Sequence, residues 1–219
     1  MKAKGADISK RRERLFGTDI KDVKTLLLTP LDRLYTRFKE YFLKEYSGWW
    51  KMGYLGDDTI IVKCPSGMHA EDVVYYAPGS TLTLLLGYCG SCDPGIDVGD
   101  IVSALSAQRN SGIIRANFLS EKFRVVRLYQ VSTIYEQEND KFLSEIERRG
   151  AGCIDMESYS VFSLARSRAR SFGGLYIVTD NLYNKPFYKV GEEDMKRIGA
   201  ASDLVVQEVL NMFGGIKNE

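Results

Sequence analysis

The polar and apolar positions of the chain fall into an alternation of short apolar runs and amphipathic segments. Thr25 to Leu28 is apolar on both faces and predicts a buried strand, closed by Thr29-Pro30. Leu31 to Tyr46 then places Leu34, Phe38, Tyr41 and Phe42 at helical spacing, which predicts a helix. Trp49–Tyr54 and Thr59–Val62 predict two strands around the turn residues Gly56-Asp57-Asp58. Ser66-Gly67 opens a helix running to about Ala77, with Glu71 and Asp72 near its positive end. Thr81–Leu86 is a continuous apolar run suited to a central parallel strand. Gly87–Ser91 reads as a tight Gly-rich loop, Asp93-Pro94-Gly95 as a turn, and Val98–Val102 as the start of a further strand.

Residues 104–122 carry no clear period and are expected to include a mobile loop. Phe123–Val131 predicts a strand, and Asp140–Arg149 a helix capped by Gly150. Gly152–Ser160 reads as a strand end turning into a helix, Tyr159 to Arg170, and Ile177–Asn181 as the next strand. Such a βαβ unit sets Glu157 and Asp180 at the carboxyl ends of two strands of one sheet, where open α/β sheets hold ligands. Glu192–Phe213 predicts a long helix, with Met195, Ile198, Val205, Val209 and Met212 near one stripe. The arrangement expected is one α/β domain with a mixed sheet over residues 23–219, preceded by a flexible basic arm at residues 1–22.

Composition narrows the function classes. The chain has 219 residues, 44% hydrophobic and 27% charged, with a net charge of +1, so no overall field selects nucleic acid or membrane. No apolar run reaches the roughly 18 residues that span a bilayer, and no apolar segment follows the charged start as in a secretory signal. A cytoplasmic protein is expected. The cysteines are Cys64, Cys89, Cys92 and Cys153; Cys89-Gly-Ser-Cys92 has the CxxC form without a second pair. The single histidine, His69, has no metal-ligand spacing to it, so no metal is expected. His69 also lacks a nucleophile partner, which removes Ser-His and Cys-His schemes.

Three motifs in order resemble the purine nucleoside phosphorylase and uridine phosphorylase superfamily, which includes the methylthioadenosine and AMP nucleosidases. They are Asp155-Met156-Glu157-Ser158 before Val178-Thr179-Asp180, Leu86–Gly90 before Val98–Val102, and Leu28–Arg33. The resemblance covers residues 24–213 and implies a three-layer α/β/α fold with a mixed, partly barrel-like central sheet. It further implies that Asp180 is the general acid at the purine N7, that Glu157 accepts both ribose hydroxyls, and that Met156 packs on the sugar. A carboxylate suits a vicinal diol because it offers acceptors to both O–H groups. Tyr135 would stack on the base, with Cys89, Gly90 and Ile154 lining its pocket; Arg33, Gly87 and Tyr88 would meet phosphate. Each residue also has a plain structural reading: Glu157 as a dipole partner of its helix, Asp180-Asn181 as a turn and cap, Tyr135 and Met156 as packing.

The chain departs from the phosphorylases at three places. Leu85 stands where they carry an arginine, Tyr88 where they carry a small hydroxyl residue, and Thr29 replaces a glycine of the first loop. A phosphate dianion needs convergent arginines and backbone N–H groups, so the resemblance favours hydrolysis over phosphorolysis, with inorganic phosphate as a possible co-substrate and no other cofactor. Lys185, Lys189 and Arg197 are candidates for a cation assisting Asp180. The Arg-Gly-Glu-Gly run of AMP nucleosidases is missing; Arg109-Asn110-Ser111-Gly112 occupies its region, so a 5′-phosphate is not implied. A catalytically silent nucleoside binder on the same fold is the reading from another class. The partners expected are a small nucleoside or nucleotide and further copies of the chain, as a dimer or hexamer joined through the aromatics of Tyr46–Tyr54, with neither nucleic acid nor membrane.

Overall fold

A computed structural model describes residues 5–21, 23–133, 136 and 141–213. In chain order the elements are α1 (Gly5–Phe16), β1 (Thr25–Thr29), α2 (Asp32–Phe38), β2 (Lys44–Ser47), β3 (Lys51–Tyr54), β4 (Thr59–Lys63), α3 (Ala70–Tyr76) and β5 (Leu82–Ser91). There follow β6 (Ile101–Arg109), β7 (Gly112–Arg115), β8 (Arg124–Gln130), α4 (Phe142–Arg149), β9 (Cys153–Asp155), α5 (Ser158–Ser167), β10 (Ser171–Asn181) and α6 (Glu192–Phe213).

One mixed sheet joins all the strands, and five of them close on themselves in the order β10-β6-β8-β9-β5 because β5 also pairs with β10. From β5 the sheet continues outward through β1, β4, β3 and β2. The expected three-layer arrangement with a partly barrel-like sheet is what forms. Side-chain alternation along the central strands divides the core between two faces. Leu85 and Cys89 of β5, with Tyr176 and Val178 of β10, pack with Val161 and Phe162 of α5. Leu84 and Leu86, with Leu175 and Ile177, pack with Val205 and Val209 of α6 on the other face. Among the described residues no helix is long and apolar enough to cross a membrane.

Several expectations are revised. The helix expected over Leu31–Tyr46 ends at Phe38, runs through one 3₁₀ turn, and gives way to β2. Pairing of Tyr46 with Met52 overrides the helical spacing there, and the Phe42 ring lies where any side chain at Gly53 would be. Gly87–Ser91 is not a loop: it continues β5, paired with β10 along its length and with β9 at Gly90 and Ser91. Residues 104–122 hold the end of β6 and a hairpin to β7 through Asn110 and Ser111, with Asn110 at φ 50°. The small residues of β6, Ser103, Ala104, Ser106 and Ala107, conceal its strand character but fit beneath α5. In the segment expected as a flexible basic arm, residues 5–16 form α1, and Phe16 is buried with its ring 5.2 Å from that of Trp50.

The β9–α5–β10 unit also differs from a parallel crossover. β10 runs parallel to β5, whereas β9 runs antiparallel to it, so β9 and β10 are opposed. Barrel closure, rather than a shared strand direction, brings their ends together.

Glycine is required at Gly173, where a Cβ would sit 2.3 Å from the Phe118 carbonyl oxygen. Gly173→Ala should destabilise the protein by roughly 1–3 kcal/mol. Thermal denaturation should then show the midpoint lower by about 2–4 °C per kcal/mol. Gly56→Ala, with nothing within 4 Å of the added methyl, is the matched control.

Candidate active site

The first half of the site is the turn from β9 into α5. Asp155 is 4% exposed and receives three donors at the helix start: its Oδ2 accepts from the N–H of Glu157 at 3.1 Å and of Ser158 at 2.7 Å, and its Oδ1 from the Ser158 hydroxyl at 2.5 Å. These bonds occupy N–H groups that the helix itself leaves unpaired. Glu157, 6% exposed, is fixed by this turn and lies under the loop after β4, where its Oε1 accepts the Gly67 N–H at 2.6 Å. Burial raises the Glu157 pKa, and the N–H groups of Gly67 and Met156 oppose that shift. Burial raises the Asp155 pKa too, and the neighbouring Glu157 charge adds to it. Met156 is half-buried and packs with Val131, Phe142 and Ile154 beneath α4.

The second half comes from the end of β10. The ladder between β10 and β5 shifts between Val178 and Asp180, which sets Asp180 opposite Gly90. Asp180 is 8% exposed, and its Oδ1 accepts from the Thr179 hydroxyl at 2.8 Å. Burial raises its pKa, with the Thr179 bond acting against it. Gly90 leaves room for this carboxylate: a Cβ there would stand 3.1 Å from Asp180 Oδ2. Asn181 clamps the neighbouring loop through its amide, which donates to the carbonyls of Asp93 at 2.9 Å and Ile96 at 2.8 Å. Sequence reasoning saw in Asn181 only a turn and cap residue.

The halves meet across β5. Gly90 pairs with Asp180 on one side and with Ile154 on the other, so both carboxylate-bearing turns flank Cys89-Gly90. The buried Cys89 thiol senses this: burial raises its pKa, followed by the neighbouring Cys153 and the charges of Asp155 and Asp180. Of the expected base-pocket residues, Cys89, Gly90 and Ile154 are therefore adjacent to the acids. Tyr135 lies outside the described residues.

The expected phosphate residues are not brought together. Tyr88 packs on the α6 face of the sheet. Arg33 stands on α2, where its Nη2 is 2.9 Å from the place of a Gly199 Cβ, beside a hollow of about 550 Å³ walled by Val190, Gly191, Glu192, Met195 and Lys196. Gly87 instead faces the ring of Tyr176, 3.1 Å from the place of its Cβ. Sequence reasoning missed Tyr176, which pairs with Gly87 across β10 and β5. The basic candidates near Asp180 are also engaged elsewhere. Lys185 Nζ pairs with Asp194 at 2.7 Å, Lys189 lies over the Tyr188 ring, and Arg197 packs against Gly99. Among the described residues no lysine or arginine lies within 4 Å of Asp180.

No protein-family model matches this sequence, and no curated protein matches it by sequence. Solved structures do match its fold. The apo form of Arabidopsis thaliana 5′-methylthioadenosine nucleosidase superposes with a TM-score of 0.73 at 14% identity, covering 91% of this chain and 98% of that one. The fold is the one these nucleosidase structures share. Campylobacter jejuni 5′-methylthioadenosine/S-adenosyl homocysteine nucleosidase gives a TM-score of 0.70 at 15% identity over 87% of this chain and 98% of its own. AMP nucleosidase from Bacteroides thetaiotaomicron gives 0.69 at 14% over 94% and 100%. At such identities it is the fold that is shared, over most of the chain.

Proposed function

We propose that this chain hydrolyses the N-glycosidic bond of a purine-type nucleoside or nucleotide. The observation that carries the proposal is the convergence of two buried acid groups, Glu157 with Asp155 and Asp180, on the two sides of Cys89-Gly90. Cleaving the bond builds positive charge on the sugar and negative charge on the base. Asp180, which burial keeps inclined to hold its proton, supplies an acid for the base nitrogen. Glu157 supplies acceptors for the ribose hydroxyls. The structural neighbours named for methylthioadenosine and AMP nucleosidases support the same substrate class.

Water is favoured over phosphate as the nucleophile by what surrounds Gly87. Leu85 is fully buried, the Tyr176 ring covers Gly87, and Arg33 is turned to α6. A dianion placed there would meet apolar surface and the negative end of the Asp155–Glu157 turn, a costly environment without paired cations. Base release from a panel of nucleosides should therefore proceed equally with and without inorganic phosphate, and yield free ribose. Strict dependence on phosphate, with ribose 1-phosphate as product, would overturn the hydrolytic reading. In the same proposal the protein acts as a homo-oligomer, with Trp49, 71% exposed in the turn between β2 and β3, at the contact.

A further inference from the structure

We propose that the end of the barrel where β5 and β10 begin binds a phosphate group among Arg12, Arg168 and Arg170. This goes beyond the hydrolytic reading and does not depend on it. The three arginines come from α1, from the end of α5 and from the residue before β10, yet they meet on consecutive residues, Tyr75 to Pro78, at the end of α3. Arg12 Nε donates to the Tyr76 carbonyl at 2.8 Å. Arg170 Nη2 donates to the carbonyls of Ala77 at 3.3 Å and Pro78 at 3.0 Å. The Arg168 guanidinium lies over the Tyr75 ring, 4.7 Å from its centre. Asp180 lies toward the other end of β10, about 30 Å away along the strand.

These contacts leave a surplus of positive charge. Among the described residues none of the three arginines pairs with a carboxylate within 4 Å, and Asp7 of α1 is taken by Arg11 at 2.8 Å. The carbonyl end of a helix offers at most about half a negative charge. Burial, with the charges of Arg168 and Arg12 adding to it, lowers the Arg170 pKa to about 10, so the three groups stand near enough to repel one another. Capping α3 uses one edge of Arg170 and one nitrogen of Arg12, and it leaves this charge unanswered.

Polar atoms are left open at the same place. Arg170 is 4% exposed, and its Nη1 is buried without a partner. Ser80 is 5% exposed, and its hydroxyl also meets no partner. The two residues are held side by side. Ser171, next after Arg170, donates its N–H to the carbonyl of Thr81, next after Ser80, at 2.8 Å. Between Ser80 and the Pro78 carbonyl that Arg170 grips stands Gly79, where an added Cβ would find nothing within 4 Å. A buried donor without a partner is costly, and an anion in that opening answers both the donor and the charge. Three guanidinium groups suit a dianion better than a lone carboxylate, since each presents a fork of N–H donors to phosphate oxygens.

The test is the thermal midpoint of the full chain titrated with inorganic phosphate, with sodium chloride at matched ionic strength as the reference. The wild type should show a saturable rise above the chloride reference. Arg12→Gln and Arg168→Gln change side chains that are not fully buried, so both variants should fold. Each should weaken phosphate binding by about tenfold or more, as loss of a hydrogen bond to a charged group does. Gly79→Glu places a carboxylate in the opening; its midpoint without phosphate should match or exceed that of the wild type, and phosphate should raise it no further. AMP identifies the source of the phosphate, with adenosine as the control for binding at Glu157 and Asp180. A rise that the arginine variants lose, equal for AMP and inorganic phosphate, assigns the site to the phosphoryl group alone, and a larger one for AMP assigns it to a nucleotide. A rise no greater than that with chloride, or one that persists in the arginine variants, overturns the inference and leaves the arginines as caps of α3. Absence of base release by the wild type, with the phosphate rise intact, overturns the hydrolytic reading and leaves the anion site standing.

Discussion

Asp180→Asn is expected to lower kcat for base release by about 10²–10⁴-fold, the range typical of a general acid. Asparagine has the same shape and can still accept from Thr179, so the local packing beside Gly90 is preserved. What it lacks is a transferable proton for the leaving base. KM should stay within a few-fold, because Glu157, the proposed ribose anchor, is on the other side of β5. The pH profile separates this role from a structural one. Burial holds the Asp180 proton above the ordinary carboxylate range, so wild-type kcat should be level at low pH and fall as pH rises through that elevated value. In the variant this limb should vanish. The same sign governs stability: the stabilising contribution of a protonated, buried Asp180 is full at low pH and is lost as pH rises, so the variant should be no less stable than the wild type near neutrality. An unaltered kcat in a folded variant would remove Asp180 from the chemistry and favour a silent nucleoside-binding protein.

What the sequence disclosed and what it concealed follow from the range of the interactions involved. Local signals were readable. The apolar run of β1, the Gly150 cap at φ 64° and the stripe of α6 from Ile198 through Val205 to Val209 each arise from neighbouring residues and appear where expected, whereas Met195 at the start of that stripe is exposed. The positions of Glu157 and Asp180 next to a helix start and a strand end were also readable, since both are set by their own elements. Closure of the barrel was not. It depends on β5 accepting β10, β9 and β1 as neighbours at different points along its length, and Gly87 and Gly90 permit those close approaches while looking like loop residues. Asp155 lay in plain view within the motif, but its three hydrogen bonds exist only once the turn into α5 is made. The phosphate set fails for a related reason. Residues 87–91 read as a loop, whereas they continue β5, whose alternation turns Tyr88 and Gly87 to opposite faces.

Glu157→Gln should lower kcat/KM for ribonucleosides by about tenfold to 10²-fold, since a hydrogen bond to a charged group contributes about 1.5–3 kcal/mol. The glutamine oxygen can take over the Gly67 N–H, whereas its amide group turns an acceptor into a donor and opposes one ribose hydroxyl. The loss should therefore depend on the sugar. With 2′- or 3′-deoxynucleosides the variant should approach the wild type, because the hydroxyl that feels the change is missing. Equal losses on ribose and deoxyribose substrates would mean that Glu157 does not meet the diol. Folding should respond differently from activity. Glutamine removes a buried ionisable group whose charge burial disfavours, and it leaves Asp155 as the single carboxylate at the head of α5. Near neutral pH the thermal midpoint of the variant should match or exceed that of the wild type. A carboxylate kept for the fold would show the reverse, a lower midpoint with catalysis intact. Reduced capture of ribonucleosides by a protein of undiminished stability is the combination that a ribose-binding role requires.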